Sequence, residues 1–226
     1  MRPASLAKLQ KLAGALSVLC IVFVVLLQGK PYFTNAARPP RGIPDPGVAL
    51  QVAGDIGEID DILGDAPSPD REVMRFKQYL DFGFIAAYAG LFLVLASLLP
   101  GQSGWARMAG ATAMVCAIAT ATFDVLENVA ILRILDVPLR FTTPGMINAI
   151  RSASTAKWAL AALTLTLLSA LFMRRSGWLS RTAGGLFIIS AALIFYGFHD
   201  NRFLVFEGYP ALASLAAVGA VYFRMR

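Results

Sequence analysis

The chain has 226 residues, 57% of them hydrophobic and only 15% charged, with a mean hydropathy of +0.64. A soluble domain carries about 25% charged residues. Fourteen acids and 20 lysines plus arginines cannot coat a globule of this size, which excludes a soluble enzyme and indicates a membrane protein. The net charge of +6 is scattered at the ends of apolar runs, not gathered on one face, so no nucleic-acid partner is expected.

Apolar runs fall at about residues 9–28, 82–99, 108–134, 150–173, 183–198 and 208–223, against the ~20 residues that cross a hydrocarbon core. They predict an all-α polytopic membrane bundle of six transmembrane helices with one long extracytoplasmic loop. The expected division is 1–29 for the first span, 30–80 for the loop with a short amphipathic helix and a helical stalk, and 81–226 for the remaining five helices. The last two runs are short, and a re-entrant pair is the alternative there. Pro210 opens the sixth, where a first-turn proline removes no intrahelical hydrogen bond.

Lysines and arginines near span ends orient the bundle. With the N-terminus inside, the cytoplasmic set is Arg2, Lys8, Lys11, Arg107, Arg174, Arg175, Arg181, Arg224 and Arg226, against Arg133, Arg140, Arg151 and Arg202 outside. Both termini are therefore expected in the cytoplasm of a bacterial inner membrane protein. Met1 to Lys11 also reads as the basic region of a secretory signal, with Asn35-Ala36-Ala37 resembling a cleavage site. The apolar core from Leu12 to Leu27 is longer than a signal needs, which predicts a retained anchor.

The outer segment opens with Pro31, Pro39, Pro40, Pro44 and Pro46, which favour extended chain. Val48 to Val52 reads as a short strand or extended strip. Asp55 and Glu58 have the spacing of a capping box, predicting a helix over about 55–63 with Ile56, Ile59, Ile62 and Leu63 on its apolar side, lying on the bundle or on the membrane. Ser68-Pro69-Asp70 supplies a cap, a first-turn proline and an acidic first turn. Nothing interrupts the helix so begun before Leu99-Pro100-Gly101, and its membrane boundary falls near Lys77 and Asp81, an i,i+4 pair.

The most informative stretch is Phe123-Asp124-Val125-Leu126-Glu127-Asn128. An ionisable group at mid-bilayer costs about 2.5–3.5 kcal/mol on insertion scales, so two carboxylates and an amide within five residues require partners. At about 100° per residue they share one face. That face continues as Ala113, Ala117 and Thr120, beside a ladder of Ala109, Ala113, Ala117 and Ala121 that suits close helix contact. Lys157 is the expected counter-charge, on a stripe with Ala153, Ser154, Ala161 and Thr164. With Asp81, and with the His199-Asp200-Asn201 turn at the rim, these residues predict a polar cluster or ligand-binding cavity of Asp81, Asp124, Glu127, Asn128, Lys157, His199 and Asp200 in the outer half of the bundle. The competing reading is a hydrogen-bond network that only joins helices. Tyr32, Phe33, Tyr79, Trp105, Trp178, Tyr196, Tyr209 and Tyr222 read as an interfacial belt without a ligand role.

Leu80-Asp81-Phe82, Asp124-x-x-Glu127-Asn128 and a lysine in the next span resemble a pattern in small, uncharacterised multi-pass bacterial membrane proteins, over residues 48–160. The resemblance implies an architecture and an important polar cluster, and no reaction. Cys20 and Cys116 lie within apolar runs as inert fillers, a single histidine forms no ligand cluster, and no metal or cofactor is expected.

The leading expectation is a non-enzymatic accessory subunit of a membrane complex, or a binder of a lipid or hydrophobic ligand, with membrane lipid and protein partners or a second copy as its associates. An intramembrane enzyme on a lipid-like substrate would use Asp124 and Glu127 as acid and base with Lys157 steadying negative charge, although Ser152, Ser154 and Thr155 lack a histidine partner. A proton-coupled transporter would use the same carboxylates as a relay.

Overall fold

The computed structural model describes residues 3–34, 42–99, 103–206 and 208–224. Asn35-Ala36-Ala37, Pro39, Pro40, Pro100, Gly101, Arg2 and Arg226 lie outside the described residues. The elements are α1 (Pro3–Gln28), α2 (Pro46–Val52), α3 (Ile56–Leu63), α4 (Pro69–Leu98), α5 (Gly104–Leu135), α6 (Pro144–Met173), α7 (Trp178–Gly197), α8 (Phe203–Phe206) and α9 (Gly208–Arg224), with a 3₁₀ turn at Leu139–Phe141. Among the described residues six helical stretches are long and apolar enough to cross a membrane, the last spanning 203–223. The fold is the all-α polytopic bundle that the hydropathy pattern predicts.

Neighbouring helices alternate in direction. The most extensive packing is between α5 and α6; α6 also packs on α7 and α4 on α5, while α1 and α9 close against each other and against α4 and α7 respectively. The Phe223 ring at the end of α9 lies over Gly14 in the middle of α1, where an added Cβ would come within 3.2 Å of it, and the stretches 178–197 and 203–223 are each long and apolar enough to cross a membrane, which favours two spans over a re-entrant pair. Small residues set these approaches, as expected: Ala109, Ala113 and Ala117 are buried on α5, and a Cβ on Gly184 of α7 would meet the Ser169 carbonyl of α6 at 3.1 Å.

The 43–65 segment caps one end of the bundle. Val48 to Val52 is not extended: Asp45 accepts from the Val48 N–H at 3.0 Å and Pro46 takes the first helical position, making α2. The Asp45-Pro46 start is the same device as Ser68-Pro69, and it outweighs the β-branched valines of a seven-residue helix. α3 has the predicted cap, with Asp55 accepting from Glu58 N–H at 2.9 Å and Glu58 reaching back to Gly54 N–H at 2.6 Å. Ile59, Ile62 and Leu63 are buried, whereas Ile56 is exposed, because the docked face of α3 spans only its second turn. These residues join Ile43, Leu50, Ile131, Ile134, Ile147 and Ile150 in a core of their own on the ends of α4 to α6. Of the two placements expected for α3, the bundle surface is the one observed.

Arg71 holds this end together. Fully buried, it donates from Nε to the Gly64 carbonyl and from Nη1 to those of Ile134, Leu135 and Val137, at 2.9–3.2 Å. It thereby supplies donors to the carbonyls that end α5, of which that of Ile134 also accepts from the backbone N–H of Val137 at 3.2 Å. Lys77 does the same for α1, donating to the carbonyls of Leu27 and of Gly29, the latter at 3.1 Å. The expected Lys77–Asp81 pair is therefore replaced: exposed carbonyls at the end of a neighbouring helix capture the ammonium, and Asp81 accepts from Asn128 instead.

Candidate functional site

Beneath the α2 cap lies a cavity of about 650 Å³ enclosed by α4, α5, α6, α7 and α9. Its floor is apolar, formed by Phe92, Leu165, Phe187 and Leu215, and its upper part is polar. Asp81, Asp124, Glu127, Asn128 and Lys157 all line it, brought together as their helical spacing predicts.

Lys157 is the hub. Its Nζ lies 3.1 Å from Asp124 Oδ1, 2.8 Å from Glu127 Oε2 and 2.9 Å from Glu127 Oε1, with all three side chains buried. The Tyr88 hydroxyl donates to Asp124 Oδ2 at 2.9 Å, and Asn128 Nδ2 donates to Asp81 Oδ2 at 2.7 Å. A buried charge survives only when paired and hydrogen-bonded, and this network meets both conditions for the Lys157 triad. α2 completes it: Gln51 donates to Glu127 Oε1 at 2.9 Å and accepts from the Trp158 indole at 3.0 Å, and the Lys157 ammonium sits 4.8 Å from the Trp158 ring centre.

His199 and Asp200 do not join the site. Asp200 pairs with Arg202 at 2.6 Å within its own exposed turn, which holds its carboxyl below the usual aspartate range. His199 packs edge-on to Tyr196, with ring centres 6.3 Å apart. The short loop closes on itself because Arg202 lies two residues from Asp200, a nearer partner than anything across the cavity.

Gln51, Gln78, Tyr88 and Trp158 belong to the lining and were not among the residues expected from sequence. Tyr88 follows Asp81 by seven residues, two helical turns on the same face, and Trp158 adjoins Lys157. Gln51 is the sole polar residue of the Val48–Val52 stretch. Tyr32 and Phe33, read as belt residues, line the mouth, whereas Trp105 and Trp178 are exposed as a belt requires.

The hydroxyls of Ser152, Ser154 and Thr155 donate to the helix carbonyls four residues earlier, at 2.6–2.8 Å. No three His, Cys, Asp or Glu side chains among the described residues are grouped to hold a metal ion. The chemistry on offer is a largely apolar chamber beneath a set of paired charges and hydrogen-bonding groups. The chain matches no known protein-family profile, no curated protein and no solved structure.

Proposed function

We propose that this is an integral protein of the bacterial inner membrane, with both termini in the cytoplasm, that binds a lipid or another hydrophobic ligand in the cavity, alone or as an accessory subunit of a larger membrane complex. One observation carries the reading: the cavity of about 650 Å³ is polar toward the α2 cap and apolar toward the bundle interior. Ligand pockets run roughly 300–1,000 Å³ and combine apolar walls with a few placed polar groups. The amphiphilic gradient suits a molecule whose tail enters the bundle and whose head stops at Asp81, Asp124, Glu127 and Lys157.

The greater number of short-loop cations at the end away from α2 supports an outward-facing cap. The ligand would then come from the outer leaflet or the space beyond it.

Native mass spectrometry of the protein gently extracted from its own membrane tests this, together with an Ala161→Phe variant. Ala161 lines the cavity beside the apolar floor, so a phenyl group there occupies ligand space. The expected result is one defined small molecule retained at fixed stoichiometry by the native chain and lost from the folded variant. Retention of stoichiometric protein partners with no small molecule would make the polar cluster helix-joining structure in a complex subunit. Equal retention of a small molecule by both forms would place its site elsewhere.

A further inference from the structure

Among the described residues, the charges around the cavity do not balance. Four carboxylates line it, those of Asp45, Asp81, Asp124 and Glu127, against two lysines, Lys77 and Lys157. Lys77 is committed to the α1 carbonyls and Lys157 to Asp124 and Glu127. Asp81 is left with the neutral Asn128 amide as its hydrogen-bond donor. An excess of negative charge in a chamber with apolar walls is costly, and it is relieved either by a proton on a carboxyl group or by a cation that enters the chamber.

A second observation points the same way. Gln78, one turn before Asp81 on the same face of α4, lines the cavity and is more than nine-tenths buried, at 8% exposed. Its Nε2 faces Met74 Sδ at 3.4 Å, and its Oε1 has no hydrogen-bond partner. A buried amide oxygen without a donor is destabilising. Oε1 of Gln78 and the Asp81 carboxylate are both acceptors, and residues three apart on a helix stand about 5–6 Å apart at Cβ. They lack one thing in common, a group with several N–H donors and a positive charge.

We infer that the cavity selects a single-chain amphiphile with a cationic amine head, the ammonium lying against Asp81, the Gln78 amide turning from Met74 to meet it, and the chain running down toward Phe92 and Phe187. The size agrees: 650 Å³ holds about twenty groups of water or methylene size at roughly 30 Å³ each, enough for one alkyl chain and a small head. An anionic head is disfavoured because Lys157, the cation nearest the carboxylates, already bridges two of them. This inference rests on the proposed reading of the cavity as a ligand site and specifies the ligand.

The test uses the full chain with Trp105→Phe and Trp178→Phe, so that Trp158 in the cavity wall is the sole indole, in phosphatidylcholine nanodiscs at pH 7. Dodecylamine, dodecanol and dodecanoate share one chain and differ in the head; each is titrated against Trp158 fluorescence, with empty nanodiscs as the blank. Dodecylamine should saturate the signal with an apparent Kd about tenfold or more below those of the other two, the margin of a charge-assisted contact over a neutral one. In Asp81→Asn, which keeps the side-chain shape, the margin should shrink to about threefold or less. Saturable binding of dodecanol or dodecanoate as tight as that of dodecylamine overturns the cationic preference and leaves the hydrophobic-ligand reading standing. No saturable signal from any of the three overturns both. The ranking on the native cavity decides the question even if the variant does not fold.

Discussion

The Trp158 indole donates to Gln51 Oε1 at 3.0 Å across 107 positions of sequence, and the same Gln51 amide donates to Glu127 at 2.9 Å. One glutamine of a seven-residue helix thus joins the cap to the buried charges of two long helices. The cap and the polar cluster are one unit.

Replacement of Gln51 by Ala removes both bonds and should loosen α2 without unfolding the bundle, at a cost of about 1–2 kcal/mol locally. Hydrogen exchange of the α2 amides should accelerate about tenfold while that of α5 and α6 stays unchanged. Uniform acceleration across all helices would show that the cap is not an independent unit.

Lys157→Met leaves Asp124 and Glu127 buried without a cation. Breaking a buried pair in this way costs about 3–5 kcal/mol, whereas removing every charge together is often neutral. Thermal unfolding in detergent should therefore show a large loss for the single variant and substantial recovery when Asp124→Asn and Glu127→Gln are added. A triple variant no more stable than Lys157→Met would contradict a balance set by the ion pairs.

Arg71→Leu deprives the carbonyls of Gly64, Leu135 and Val137 of the guanidinium donor and leaves that of Ile134 with backbone N–H groups alone. Each buried carbonyl left unpaired costs about 1–3 kcal/mol, so a loss of several kcal/mol is expected. Arg71→Lys should rescue little, since an ammonium lacks the planar fork that reaches donor sites on two sides at once. Thermal unfolding of the two variants beside the native chain measures this.

Asp65 gives a pH dependence outside the membrane spans. Its exposed carboxylate accepts from the N–H of Leu139 and of Ala66, both at 2.8 Å, and these bonds hold its pKa below the ordinary aspartate value. A pKa depressed by folding contributes stability above the unfolded value, about 3.9, and that contribution is lost as pH falls through the folded one. The Leu139 amide resonance should titrate with a midpoint below about 3.9 and should cease to titrate there in Asp65→Asn. A midpoint at or above 3.9 would mean that the α3 docking contact is not made through this carboxylate.

Features that depend on neighbours in sequence were legible in the chain. Apolar run lengths specify the six long helices, Ser68-Pro69 and Asp55 with Glu58 specify two helix starts, and a repeat of about 100° per residue places Asp124, Glu127 and Asn128 on one face. The same local logic applied to Asp45-Pro46 accounts for α2, where the valine-rich composition suggested extended chain.

Partner choice was not legible, because it depends on which faces meet when helices pack. The sequence by itself determined that Asp124, Glu127 and Lys157 must be buried in protein, since lipid offers carboxylates no partner. Only the tertiary structure decided that Lys77 serves the end of α1, that Asp81 turns to Asn128, that Gln51, Tyr88 and Trp158 complete the network, and that Asp200 stays with Arg202. The physical reason is that a helix fixes the direction of each side chain about its own axis, whereas the rotation and depth of one helix against another are set by packing of residues far apart in sequence.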